Sequence, residues 1–476
     1  MKLTLTKYKF YKDSGSDWLG EVPEHWLSIR IKDVIKHIDQ GWSPNAENRT
    51  IEKGEWGVLK LSAISNGKYY EINHKALSGL TELKHQYIVT KGDLLLTRSN
   101  TPELVGDSCL VLVQPTFNLM YSDLIYCLTI DSKKVVDRYL NYFICSASFR
   151  WMKTISARGL NTSMVKISQG IICRWNIFSP PLLEQKAIAD YLDTKTSQID
   201  RKIDLLTQKA TLYSNLKQSL INETVTRGLD KSVPMKDSEI EWLGEVPEHW
   251  EFKRLKDIAN IQNSNVDKKL YEYEVPVKLC NYVDVYKNEF ISASLNFMEA
   301  TASESEIKQF TIRKGDVFIT KDSETCDDIA IPALATESLE GVLCGYHLAQ
   351  LRTKEKIFLG AYLFRLFQAK SYGFRFVISA KGITRVGLGQ SAIADSLTPV
   401  PPLTEQKAIA DYLDTKTAQI DQIIQTINTQ IEKLKELRKT LINDVVTGKI
   451  KQGKRILTLT QNMLQLNLTK FPCSWL

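Results

Sequence analysis

This sequence is marked first by what it lacks. Its eight cysteines are scattered, and none stands in a C-x-x-C pair. That argues against zinc ribbons and redox dithiols and points to reduced, structural thiols in a cytosolic protein. No apolar run approaches the roughly eighteen residues that a membrane-spanning helix needs. The opening MKLTLTKYKFYKDSG has no apolar stretch of signal-peptide length, so a cytoplasmic location is expected. No G-x-x-x-x-G-K-[ST] loop occurs, so ATP-driven movement is not expected of this chain. The G-x-G near a helix pattern, Gly387-Leu388-Gly389, is by itself weak evidence for a cofactor. What remains is an ordinary globular balance, 43% hydrophobic and 25% charged residues in a chain of 476. That length suits roughly two to four domains. The net charge of +7 permits a polyanionic partner without demanding one.

What is present is a duplication. EQKAIADYLDTKTSQID at 184–200 returns at 405–421 with one change, Ser197 to Ala418. DWLGEVPEHW at 17–26 returns as EWLGEVPEHW at 241–250. The offsets, 221 and 224 residues, lie far beyond the roughly 20–50 of a solenoid repeat and mean two copies of a whole unit. Weaker matches lie between the anchors: KGDLLLTRS (91–99) with KGDVFITKDS (314–323), SDLIYCLTI (122–130) with GYHLAQLRT (345–353), and ARGLNTSMVKI (157–167) with AKGITRVGLGQ (380–390). Each copy has a lead ending in P-E-H-W and then a mixed region. Short strand-like runs occur at 56–61, 93–97 and 316–320, and amphipathic helix patterns at 135–146 and 358–369. Pro180-Pro181 or Pro401-Pro402 then forces an extended approach to a long polar helix free of Pro and Gly, reaching about residue 227 or 447.

The long helices carry matched seams. Ile199, Ile203, Leu206, Ala210, Tyr213, Lys217 and Leu220 alternate steps of four and three, as do Ile420, Ile424, Ile427, Ile431, Leu434, Arg438 and Leu441. A repeat of about 3.5 residues asks for a partner helix. Two such seams in one chain make mutual pairing the simplest account, with a basic interruption at the same place in each.

Two divergent domains, each followed by P-P-L-x-E-Q-x-x-I-A-x-x-L-D and a long helix, each preceded by W-L-G-x-V-P-x-H-W, resemble the DNA-specificity subunit of type I restriction–modification systems. The resemblance covers residues of about 17 to 450. It implies an α+β fold: two target-recognition domains of mixed α/β structure, and two helices pairing as an antiparallel coiled coil with pseudo-two-fold symmetry. The expected divisions are a lead (1–26), a first recognition domain (27–181), a central repeat helix (182–229), a linker with the repeated lead (230–250), a second recognition domain (251–402), a distal repeat helix (403–450) and a tail without assigned role (451–476). Each domain would read one half of an asymmetric, bipartite site on double-stranded DNA. The frame would set the gap, with half-sites about one helical turn (~10 bp) apart as the first expectation. The identical segments would dock two copies of one methyltransferase subunit, and restriction–translocase subunits would complete the enzyme.

Base and phosphate contacts call for Arg, Lys, Asn, Gln, hydroxyls and free N–H groups. Three loops supply them. The first holds Gln40, Trp42, Ser43 and Asn45 around a Gly-x-Ser-Pro turn, with Gln262 and Asn263 as polar counterparts lacking the Gly and Pro. The second holds Arg98, Ser99 and Asn100, with Lys321 opposite; Arg98 suits guanine and Asn100 adenine. The third holds Arg158, Asn161, Thr162 and Ser163, matched by Lys381, Thr384 and Arg385. Trp18, Trp26, Trp242 and Trp250 read as packing anchors, and His25 and His249 as structural histidines. Tyr69, Tyr70, Tyr121 and Tyr346 are able to stack on bases or touch the DNA backbone, but core packing suits most of them better.

Chemistry in this chain is not expected. Ser179-Pro180-Pro181-Leu182 superficially resembles the loop of amino-methyltransferases, but that loop stacks the flipped base on an aromatic residue. Leu182 and Leu403 stand there instead. S-adenosylmethionine, ATP and magnesium would belong to partner subunits. The alternative, a stand-alone DNA-binding protein or coiled-coil scaffold, fits two large unequal domains less well, and no helix-turn-helix stands out.

Overall fold

The computed structural model describes residues 7–78, 83–157, 164–240, 243–382 and 384–451. The chain divides into two units, residues 1–205 with 430–476, and residues 206–429. The central helix Leu182–Arg227 gives its first half to one unit and its second half to the other, as does the distal helix Leu403–Val446.

The first unit opens with an antiparallel hairpin, Tyr11–Asp13 against Glu21–Pro23. The next strand, Leu27–Arg30, pairs antiparallel with Asn176–Ser179. Entry to and exit from the recognition domain therefore lie side by side. Between them sits a four-stranded antiparallel sheet in the order Ser108–Leu110, Leu94–Thr97, Ile125–Ile130, Ile35–Gln40. A second four-stranded sheet runs Asn118–Met120, Trp56–Leu59, His74–Leu77, Ala46–Glu47. The run Leu94-Leu95-Leu96 is apolar without alternation because both faces of its strand are covered. Leu94 and Leu96 enter one core and Leu95 the other. Helices Asp137–Cys145 and Ala147–Ser156 follow, and the Ser146 hydroxyl between them accepts the Phe149 N–H to cap the second.

The second unit repeats the plan. Its lead pairs Met235–Asp237 with Glu245–Pro247, and Glu251–Arg254 pairs with Leu397–Val400. The five-stranded sheet runs Ala259–Asn263, Leu348–Thr353, Val317–Thr320, Pro332–Ala335, Phe290–Ile291. Val317 and Ile319 face one core and Phe318 the other. Helices Gly360–Gln368 and Lys370–Ser379 stand where the first unit has its pair.

In each unit one core joins four parts: the lead, the domain, the start of one long helix and the end of the other. In the first, Val22 and Trp26 share a core with Ile188 and Leu192 and with Ile442 and Val445. In the second, Val246 and Trp250 share one with Ile409 and Leu413 and with Ile221 and Val225. Both long helices end at a glycine in the left-handed region, Gly228 (φ 73°) and Gly448 (φ 76°), as a C-terminal stop requires. A Cβ on Gly448 would lie 2.2 Å from the Pro23 ring. The first lead thus closes on the end of the distal helix. Among the described residues, no helix is long and apolar enough to cross a membrane.

The seam residues run antiparallel within each unit. In the first, Arg438 Nε lies 3.1 Å from Asp200; in the second, the Lys217 ammonium donates to Asp421 at 2.7 Å. These are the same contact displaced by the 221-residue repeat. Ile199, Leu206, Ile420, Ile427, Ile431 and Leu441 are buried; Ile203, Tyr213, Leu220, Ile424 and Leu434 are half-buried. The basic interruptions at Lys217 and Arg438 are therefore pairing residues themselves. A charged pair at a seam position fixes register better than another leucine would.

Candidate nucleic-acid interface

The repeated Glu-Gln pair shows how the frame holds each domain. Glu184 lies 2.8 Å from His25 Nε2 and accepts from Tyr8 and from the Trp26 indole; Glu405 lies 2.8 Å from His249 Nε2. The lead histidines are thus structural, and Trp26 and Trp250 are fully buried anchors. Trp18 is half-buried against Phe149, and Trp242 lies outside the described residues. Gln185 is buried, accepts the Val136 N–H at 2.8 Å and donates to Pro180 O at 2.8 Å. Gln406 does the same with the Leu359 N–H and Pro401 O. Each glutamine satisfies a backbone group at the start of a domain helix. Asp193 then accepts from Tyr142 and Arg138, and Asp414 from Arg365. Residues that looked like partner-facing identities are in good part internal ties.

Among the described residues, the loops expected to meet nucleic acid converge at the end of the main sheet. In the first unit the chain turns at Gly41, whose N–H donates to Ile125 O at 3.1 Å. A Cβ there would lie 2.2 Å from Tyr121 O, so the turn needs glycine. Gln40 and Trp42 are half-buried, with the Lys84 ammonium 4.5 Å from the Trp42 ring. Ser43 is exposed, donates to the Asp123 carboxylate and accepts the Asp123 N–H at 3.2 Å; Asn45 is exposed. Arg98 donates from Nη1 to Asp123 O at 3.3 Å and packs 6.0 Å from the Tyr126 ring. Asn100 is half-buried and accepts the Thr101 N–H.

Ser99 is a correction. It is buried and donates to Val165 O at 3.2 Å, so it is not available to DNA. Successive residues of the short strand Ser99–Asn100 point to opposite faces, and Ser99 takes the inner one. Arg158, Asn161, Thr162 and Ser163 lie outside the described residues.

The second unit builds the same corner with other side chains. Ser264 occupies the place of Gly41, its N–H on Leu348 O and its hydroxyl on Cys344 O. Gln262 is half-buried opposite Gln350, and the Asn263 side-chain oxygen is buried without a hydrogen-bond partner. The Lys321 ammonium lies 4.8 Å from the Tyr346 ring and donates to Ser264 O at 3.4 Å; burial holds its pKa below the usual lysine range. Asp322 Oδ1 lies 2.6 Å from His347 Nδ1 and ion-pairs with Arg385 Nη2 at 2.9 Å. Lys381, Thr384 and Arg385 are exposed on a loop that Lys381 and Gly387 close with two backbone hydrogen bonds.

The framework bonds match one for one. The N–H of Arg98 reaches Leu124 O and that of Lys321 reaches His347 O; the N–H of Ile167 reaches Arg98 O and that of Leu388 reaches Lys321 O. This corrects the ungapped match of the third loops. Val165 stands where Val386 does, so the first loop is two residues longer than the second. It also adds residues that the sequence reading missed, Asp123 and His347. They follow the strand-edge tyrosine or glycine, and their signal was the 122–130 and 345–353 match. Tyr121 is buried as expected, whereas Tyr346 and Tyr70 are exposed.

A duplicated frame carrying divergent loops at one end of each sheet defines a two-part recognition protein. The model of the type I restriction modification DNA specificity domain matches residues 23–211 and 247–433, and the chain belongs to this family. It is similar to the type I restriction enzyme MjaVIII specificity subunit of Methanocaldococcus jannaschii, 23% identical over 93% of this chain and 97% of that one. It is also similar to the EcoKI specificity subunit of Escherichia coli K12, 20% identical over 90% of each. A solved structure concerned with complex assembly and conformational transition of the type I R-M system shares the fold, with a TM-score of 0.64, 15% identity and coverage of 89% of this chain and 98% of that one.

Proposed function

We propose that this chain is the DNA-specificity subunit of a type I restriction–modification complex, and that it is not itself catalytic. Each domain reads one half of a bipartite site, and the paired helices space the two readers. The observation that carries this is the contrast within the duplication. The backbone bonds of the two loop corners are the same, while the side chains they present differ. A symmetric reader needs a palindromic target, whereas unlike readers on a repeated frame accept an asymmetric one.

Two methyltransferase subunits dock on the repeat. Lys186, Ala187, Asp190, Thr194 and Gln198 are exposed, and so are their counterparts Lys407, Ala408, Asp411, Thr415 and Gln419, identical in kind. Internal ties explain the identity of Glu184, Gln185 and Asp193, and Asp190 ion-pairs with Arg138 at 2.7 Å, but no such tie explains the rest of this exposed row. S-adenosylmethionine, ATP and magnesium act on the partner subunits. The test is methylation mapping of DNA modified by the chain with its methyltransferase partner. Two short specific segments separated by an unread gap are expected; one continuous site, or none, overturns the reading.

A further inference from the structure

We propose that Arg385 reads a guanine in the half-site of the second domain, and that Asp322 and His347 are positioning residues that hold it in its reading pose. This rests on the chain being a DNA-specificity subunit. Arg385 lies on the loop between Lys381 and Gly387, beside the strand Val386–Gly387, which pairs with Asp322–Ser323. Asp322 is fixed by that pairing and is mostly buried, and its Oδ1 lies 2.9 Å from Arg385 Nη2. The same oxygen lies 2.6 Å from His347 Nδ1, and Arg385 Nη2 lies 3.3 Å from that ring nitrogen, so the imidazole sits against both the carboxylate and the guanidinium. The Arg385 side chain is nonetheless 54% exposed. Among the described residues its Nε and Nη1 have no protein partner.

Two features favour a base edge over a phosphate. A guanidinium held at Nη2 is fixed in one orientation, and its end-on pair, one hydrogen of Nη1 beside the outer hydrogen of Nη2, suits the bidentate match to guanine O6 and N7. Less ordering entropy is then lost on binding. A carboxylate alongside also weakens the pull of a bare phosphate, for which Lys381 on the same loop is the better-placed charge. The duplication supplies an internal comparison. On the same backbone bonds the first domain has Ser99, Leu124 and Met164 where the second has Asp322, His347 and Arg385. The polar trio is confined to one reader, as a base-specific device in an asymmetric site should be.

The test uses the full chain assembled with its methyltransferase subunits, once mapping has given the site. Binding is measured against duplexes changed at each position of the second half-site. Arg385→Ala should lose discrimination at one G·C pair by on the order of tenfold or more and leave the other positions unchanged. Arg385→Lys should behave alike. Asp322→Asn and His347→Gln should relax that same pair with an unchanged melting temperature, which a merely structural role would not do. A uniform loss of affinity with a shallower salt dependence would make Arg385 a phosphate contact and overturn the proposal, as would unchanged discrimination. A wild-type complex without any two-part preference would instead refute the specificity-subunit reading itself.

Discussion

Asp316 and Asp93 occupy the same place in the two Lys-Gly-Asp turns, and their surroundings set them apart. Asp316 is buried and accepts from Arg352 through Nε and Nη2, each at 2.7 Å, from Gln350 Nε2 at 2.8 Å, and from the Arg313 N–H. Asp93 has the equivalent N–H, from Thr90 at 2.8 Å, and the Thr90 hydroxyl, but burial pushes its carboxyl above the usual range. Asp316→Ala should therefore lower stability by about 3–5 kcal/mol, by stranding Arg352. Asp93→Asn should change it by less than about 1 kcal/mol at neutral pH. The sign follows from linkage. A carboxyl raised in the folded state stabilises at acid pH and loses that contribution as pH rises through the raised value, so Asp93→Asn should remove a loss rather than create one. Urea titrations of both variants across pH check this. At this scale the sequence revealed residue types but not orientation. Arg98 stood out as base-reading chemistry and Arg385 as one member of a basic loop, yet Ser99 stood beside Arg98 as a candidate and is turned inward. Asp123 and His347 carried no signal beyond the match of 122–130 with 345–353, and the strands that follow them, Ile125–Ile130 and Leu348–Thr353, bring them to the corner.

Among the elements, the long helices were the most legible. Their seam, their Pro-Pro starts and their glycine stops are local signals, and the helices end at Arg227 and Val446, within a residue of expectation. What the seam could not disclose was that its basic interruptions are paired across it. Lys217 donates to Asp421 and to Glu289. Burial opposes ionisation of Glu289, but Lys217, Gln368 and Arg365 outweigh it and hold its carboxyl below the ordinary value. Such a group stabilises fully above the ordinary glutamate pKa and loses that contribution as pH falls below about 4.5. Lys217→Met should cost about 1–2 kcal/mol at pH 7, between an exposed and a buried pair, and much less in acid. A denaturation midpoint that falls equally at both pH values would reject this assignment. The exposed row of the repeat makes a separate prediction. Lys186→Glu or Lys407→Glu alone should reduce bound methyltransferase from two copies to one, and together to none, by reversing charge at matched docking faces. Light scattering of the assembled complex reads this directly.

For the molecule as a whole, the pairings of 27–30 with 176–179 and of 251–254 with 397–400 set each recognition domain on a two-stranded stalk. Replacing residues 27–179 with those of a relative should change one half-site and leave the other intact, as methylation mapping would show. If both halves change, one domain does not own one half-site. The duplication made the number of domains and their order plain from sequence. The sheets inside them were less so: 93–97 read as a strand, but a run covered on both faces has no alternation to orient it, and nothing local pairs it with 108–110 and 125–130.

The closure of the first lead on Gly448 has a genetic corollary. The Lys451 ammonium lies 5.8 Å from the Tyr8 ring. A short linker between those positions would let the polypeptide begin instead at the exposed segment around Asp230, where the second lead starts. Such a permuted protein should fold and recognise the same target. If it does, the order in which the two readers are translated has no bearing on the address they find on the chromosome.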